Sequence, residues 1–125
     1  MDLPLYLDNT GEFVIQKHTK AKQMHWDLMF QAGDILQTFR IQLSPEKIMN
    51  KGCIATKIFD HPSKFLTYEG AVNKGTGEVK IEDKGTYKLI SKEQNIWQLL
   101  LNGKVLSGKF SLKAIEKNKW QFSLS

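Results

Sequence analysis

The sequence predicts an all-β fold, a small closed or nearly closed antiparallel β-barrel of about eight or nine strands. Three observations predict it. About nine short runs alternate apolar and polar residues, the period of a half-buried strand. Turn signals separate them at close intervals, among them Asp8-Asn9-Thr10-Gly11, Ala32-Gly33-Asp34, Lys74-Gly75-Thr76-Gly77 and Asn102-Gly103. Helix signals are nearly absent. Only Ser44-Pro45-Glu46-Lys47 reads as a helical turn, with Ser44 as N-cap and Pro45 at the first helical position.

Residues 1–11 read as a lead-in and residues 12–125 as the single domain. The first strand covers residues 12–18, with Val14, Gln16 and His18 on one face. A lysine-rich connection follows, carrying Lys20 and Lys22. In residues 24–30, Met24, Trp26, Leu28 and Phe30 share an apolar face, and His25 and Asp27 point the other way. Residues 35–43 put Ile35, Gln37, Phe39, Ile41 and Leu43 on one face, leaving Arg40 opposite. Residues 53–59 alternate again and stop at Asp60-His61-Pro62, which places His61 at a strand tip. Residues 65–72 are strand-like. Residues 78–82 and 86–91 are strands separated by a Lys84-Gly85 turn. Residues 96–101 and 105–112 form a hairpin about Asn102-Gly103, and residues 120–124 follow the last turn, Glu116-Lys117-Asn118-Lys119. Trp26, Trp97 and Trp120 sit in alternating apolar patterns and read as core.

At 125 residues the chain can bury a core without disulfides, and a single cysteine, Cys53, excludes an intrachain one. The expected location is the cytoplasm: no apolar run is long enough to span a bilayer, and the first residues lack a signal-peptide pattern. No membrane partner is expected, and a monomer is assumed. The formal charge of +5 and pI of about 9.3 favour a polyanionic partner, nucleic acid above all. Arg40 is the sole arginine, which matters because arginine is the usual bidentate binder of phosphate.

If the first two strands pair antiparallel through the lysine-rich connection, His18 comes across from His25. Two imidazoles and the Asp27 carboxylate would then share one side of a metal ion, with positions open for water or substrate. The plainer reading of such a pattern is a solvated sheet face.

The ordered motifs resemble the 3′-phosphoesterase domain of bacterial DNA ligase D. They are Phe13-Val14-Ile15-Gln16-Lys17-His18, His25-Trp26-Asp27, Asp60-His61-Pro62, Tyr68-Glu69-Gly70, Lys84-Gly85-Thr86-Tyr87, and residues 106–112 with Trp120. The resemblance implies a metal-dependent phosphoesterase of DNA repair. Such an enzyme removes a 3′-terminal ribonucleotide or 3′-phosphate from a DNA end and leaves a 3′-hydroxyl. It implies His18, His25 and Asp27 as ligands of a divalent metal, manganese being the expected one. It implies His61 as the catalytic residue at the phosphate and Gln16 as a polar neighbour of the pocket. A separate ligase or polymerase is the implied protein partner.

The chain departs from the family at the phosphate clamp. Met29, Leu43, Cys53 and Phe65 fall at or near positions where cations or a hydroxyl are usual. Lys17, Lys20, Lys22 and Lys64 are the candidate replacements, with Lys20 and Lys22 taken as substrate-binding. The alternative function is therefore a catalytically weakened barrel that binds nucleic-acid ends or a repair partner without turnover. A third reading takes His25, Asp27 and the distal His61 as the facial triad of a non-haem iron enzyme, but His18 supplies a nearer imidazole.

Overall fold

The computed structural model describes residues 5–125, so the first four residues of the lead-in lie outside the described residues. Nine strands form one antiparallel sheet: β1 (Thr10–Lys20), β2 (Gln23–Ala32), β3 (Ile35–Ile41), β4 (Cys53–Pro62), β5 (Gly70–Val72), β6 (Gly77–Glu93), β7 (Ile96–Gly103), β8 (Ser107–Glu116) and β9 (Lys119–Leu124). One helix, α1 (Pro45–Asn50), joins β3 to β4, with Ser44 at its N-cap. The strand order is β1-β2-β3-β4-β9-β8-β7-β6-β5, and β1 also pairs with β6. That last pairing brings the sheet's ends together, so eight strands form a nearly closed ring with β5 beside the start of β6. Few edges are then left unpaired, which is how a chain of short strands avoids edge-to-edge association.

Four hairpins turn in two residues, β1–β2, β2–β3, β6–β7 and β8–β9. In three of them a residue with positive φ makes the turn: Ala21 (φ 54°), Gly33 (φ 62°) and Lys117 (φ 44°). The inner faces build one core from Phe13, Ile15, Leu28, Phe30, Phe39 and Ile41 together with Leu99, Phe110, Leu112, Trp120 and Phe122. The apolar face of β2 is graded along its length. Leu28 and Phe30 are fully buried, Trp26 is half-buried and donates to Glu82 Oε1, and Met24 at the hairpin end is exposed. Trp97 and Trp120 are core, as expected.

Three local expectations fail for physical reasons. Residues 65–72 are not one strand. A 3₁₀ turn, Ser63–Leu66, lies over the outer side of the sheet and buries Leu66 against Val14, Met29 and Leu36, and only Gly70–Val72 is extended. Lys84-Gly85 is not a turn but the middle of β6. Gly85 is required there because a Cβ would run into the Asn102 carbonyl of β7. Asn102-Gly103 likewise ends β7, and the true turn is residues 104–106. Asp83, itself buried, holds that turn. Its carboxylate accepts the backbone N–H groups of Lys84, Lys104 and Val105 at Oδ1 and of Leu106 at Oδ2.

The outer face of β1, β2 and β3 is the second apolar surface, and it is only partly covered. The 3₁₀ turn takes Val14, Met29 and Leu36. Next to that cover, the same face carries His18, His25, Asp27 and Arg40.

Candidate metal centre

Register places the candidate ligands. The two-residue β1–β2 turn fixes His18 directly opposite His25 and Gln16 opposite Asp27. The β2–β3 turn fixes Arg40 on the other side of Asp27. The two imidazoles meet edge-on, 4.7 Å between ring centroids. His25 Nε2 lies 3.4 Å from Asp27 Oδ2, and Arg40 Nε lies 3.6 Å from Asp27 Oδ1. One ligand atom from each of His18, His25 and Asp27 falls within 4.8 Å of the others. This is the single such group of three among the described residues.

The atoms around that point are buried without hydrogen-bond partners: His18 Nε2, His25 Nε2, Asp27 Oδ1 and Arg40 Nε. Leaving several polar atoms so would cost a few kcal/mol. A cation on the nitrogens and the carboxylate, and an anion on the guanidinium, would remove that cost. The donor set of two imidazoles and one carboxylate suits a divalent transition metal with positions left open. The residues present therefore fit a metal.

Of these, His18, Asp27 and Arg40 line a cavity of about 320 Å³ together with Gln16 and His61. His61 enters from β4, opposite Leu36 of β3. Its Nδ1 is 2.9 Å from Thr38 Oγ1 and 3.2 Å from the Phe59 carbonyl. The Thr38 hydroxyl donates to the Leu36 carbonyl, so toward His61 it accepts. Both neighbours thus accept from Nδ1, which assigns the ring proton to Nδ1 and leaves Nε2 with a lone pair in the neutral ring. Burial holds the His61 pKa below the ordinary 6.5, against an opposing pull from Asp27 and the Phe59 carbonyl. His18 is lowered too, by burial first and then by the neighbouring His25.

A stability prediction follows. His61 binds protons near 6.5 in the unfolded chain but only at lower pH in the folded one. Acidification therefore favours unfolding. Its contribution is complete above pH 6.5 and is lost as pH falls from there through the folded value. His18 acts with the same sign when no cation is bound. Melting in chelator at about pH 7.5 and about pH 5.5 should show a lower midpoint at the acid value.

Gln16 is buried, and its Nε2 donates to both the Phe65 and Tyr68 carbonyls. Both amide protons are spent on tying down the segment after His61. Only Oε1, an acceptor, is left for a ligand. Lys20 and Lys22 are exposed at the β1–β2 hairpin, outside the residues that line the cavity. Lys17 faces the opposite side from His18, paired with Trp26, and Lys64 lies over the Phe65 ring. Met29 shares the Asp27 face but is fully buried under Leu66. Leu43 and Cys53 pack on the barrel core, where burial pushes the Cys53 thiol up to about 11. Phe65 is edge-on to His61.

Sequence reasoning left Arg40 unplaced, although the signal was present. With a turn at Gly33-Asp34, antiparallel counting pairs Asp27 with Arg40. The structure also exposes a tight approach. A Cβ on Gly77 would lie 2.9 Å from His18 Nε2. Gly77→Ala is expected to leave the fold intact, turn the His18 ring aside and weaken metal binding by about tenfold or more. A metal titration of the variant beside wild type checks this.

A model of the family described as DNA Ligase D 3′-phosphoesterase domain matches residues 16–114. The chain is also 27% identical over 115 residues to the multifunctional non-homologous end joining DNA repair protein LigD of Mycobacterium tuberculosis (strain H37Rv). The same identity over the same length holds for the multifunctional non-homologous end joining protein LigD of Mycobacterium bovis. Each match covers 86% of this chain and 15% of the relative, so the chain spans a small part of the length of the relatives it matches.

Proposed function

The chain belongs to the DNA ligase D 3′-phosphoesterase domain family, and on that premise we propose that it is a metal-dependent phosphoesterase that processes DNA 3′ ends in repair. The observation that carries the proposal is the cluster of His18, His25 and Asp27, with unpartnered buried atoms on all three, at a cavity that also holds His61 and Arg40.

His18, His25 and Asp27 would hold a divalent ion, for which manganese is the proposed identity. When bound, such an ion supplies positive charge that neutralises phosphate oxygens and polarises the phosphorus–oxygen bonds. Arg40 adds a guanidinium to the same cavity. It stands in for the clamp cation that Met29 cannot supply, and it is held near the centre by Asp27. His61 in its neutral form presents Nε2 as an acceptor that takes a proton from a water or from a protonated phosphate. Once charged beside phosphate, the same atom returns the proton to the leaving oxygen. Gln16 positions the segment that closes the cavity, and its Oε1 is suited to accept from a sugar hydroxyl and not to grip phosphate. Lys20 and Lys22, on the exposed hairpin, contribute long-range attraction for the nucleic-acid backbone. The 3′-hydroxyl end that results is what a ligase or polymerase consumes, and these are the proposed partners.

The experiment is incubation with manganese and duplexes ending in a 3′-phosphate or a 3′-ribonucleotide, with Asp27→Ala alongside. The proposal predicts 3′-hydroxyl product from wild type only. One observation favours the second reading, a module that binds ends without turnover: the positions of Met29 and Phe65 are committed to apolar packing. Salt-dependent DNA binding with no product across metals and end structures would favour that reading.

A further inference from the structure

Only part of the cavity is accounted for by a phosphate and a cation. Phe59, Pro62, Phe65, Val72 and Val79 also line it, and none of them can bind either group. Phe59 is the most informative. It stacks face to face on His61, 4.9 Å between centroids with 10° between planes, and it remains 69% exposed. Exposure alone is ordinary for a single apolar side chain; what sets Phe59 apart is that it lines the cavity while stacked on His61.

The strand shows that this placement is built. Along β4, Ala55 and Lys57 lie on the inner side, Lys57 over the Phe39 ring. Plain alternation would put Phe59 inside as well, where it would be buried. Instead the pairing with β3 slips: Thr38 faces Ile58 and Leu36 faces His61, so Phe59 and Asp60 together oppose Gln37. Bulges of this kind re-aim side chains beside active sites. Here Asp60 takes the inward contacts, with Gln37 Nε2 at 3.3 Å and Lys57 Nζ at 3.7 Å. Phe59 is turned out to the cavity, on the open side of His61.

We propose that Phe59, backed by His61, is a stacking shelf for the base of the 3′-terminal nucleotide, so that the site reads a nucleoside bearing a phosphate and not phosphate alone. The inference rests on the end-processing reading. The chemistry of the lining matches such a ligand: charged groups for the phosphate beside a flat apolar surface for the base. A 3′-terminal base has a neighbour on one face only, so its other face is free for an aromatic ring. Stacking of this kind accepts any base, because every base has a π-face.

The test uses two single-stranded oligonucleotides ending in a 3′-phosphate, one with adenine on the last sugar and one abasic there. Binding is measured by fluorescence anisotropy with manganese present, and conversion is followed on the same samples. Wild type should bind the adenine end about tenfold more tightly than the abasic end. Phe59→Ala should bring the two affinities together, and Phe59→Trp should restore the difference. Equal affinities in wild type, a preference that survives Phe59→Ala, or binding of neither end would each overturn the shelf. Turnover without base preference would overturn the shelf alone, and base preference without turnover would overturn the enzyme reading alone.

Discussion

Asp27→Ala is expected to lose manganese binding and to lower the rate of 3′-end processing by about a thousandfold or more. Asp27 is the only anion among the three clustered side chains, and it sits on the central strand of the three that build the site. It also faces Arg40 at 3.6 Å, so its removal takes away both the ligand and the group that holds the guanidinium near the centre. Asp27→Asn keeps the volume and removes the charge, and it should lose metal binding in the same way. Isothermal titration with manganese, run beside the end-processing assay, checks both. Full turnover in either variant would contradict the account.

Asp83→Ala is expected to cost about 4 kcal/mol of folding stability. The carboxylate is 2% exposed and accepts four backbone N–H groups from two segments of the chain. Three of these belong to the turn between β7 and β8. Truncation would leave all three donors without their shared acceptor, the buried Leu106 N–H with no replacement from water. Asp83→Asn should cost less, because Oδ1 can go on accepting from three of the donors. Its amide would then have to face the Leu106 N–H, which also donates. Urea denaturation measures both losses. A change below about 1 kcal/mol in the alanine variant would show that the turn holds itself.

The site was legible in the sequence where it depends on hairpin register. A short turn fixes register, and alternation then fixes faces, so the meeting of His18, His25 and Asp27 follows from counting. The same counting reaches Arg40. What could not be read was long-range. Gly85 looked like a turn because its real partner, the Asn102 carbonyl, lies on a neighbouring strand. Residues 65–72 have the pattern of a strand, but their start belongs to a 3₁₀ turn that covers the apolar Val14, Met29 and Leu36 on the outer face of the sheet. Alternation along residues 53–59 does not reveal the bulge in β4 that turns Phe59 outward. The departures at Met29 and Phe65 read as a missing cation and a missing hydroxyl, and the structure adds what those side chains do: they pack in the apolar cluster on the outer face.

The central claim is that His18, His25 and Asp27 form one metal site. Manganese added to the purified protein and followed by electron paramagnetic resonance tests it most directly. The account predicts one tightly held ion whose pulsed spectrum carries nitrogen couplings from two imidazoles, one of them lost in His18→Ala and the other in His25→Ala. An ion without imidazole couplings, or no bound ion, would contradict it.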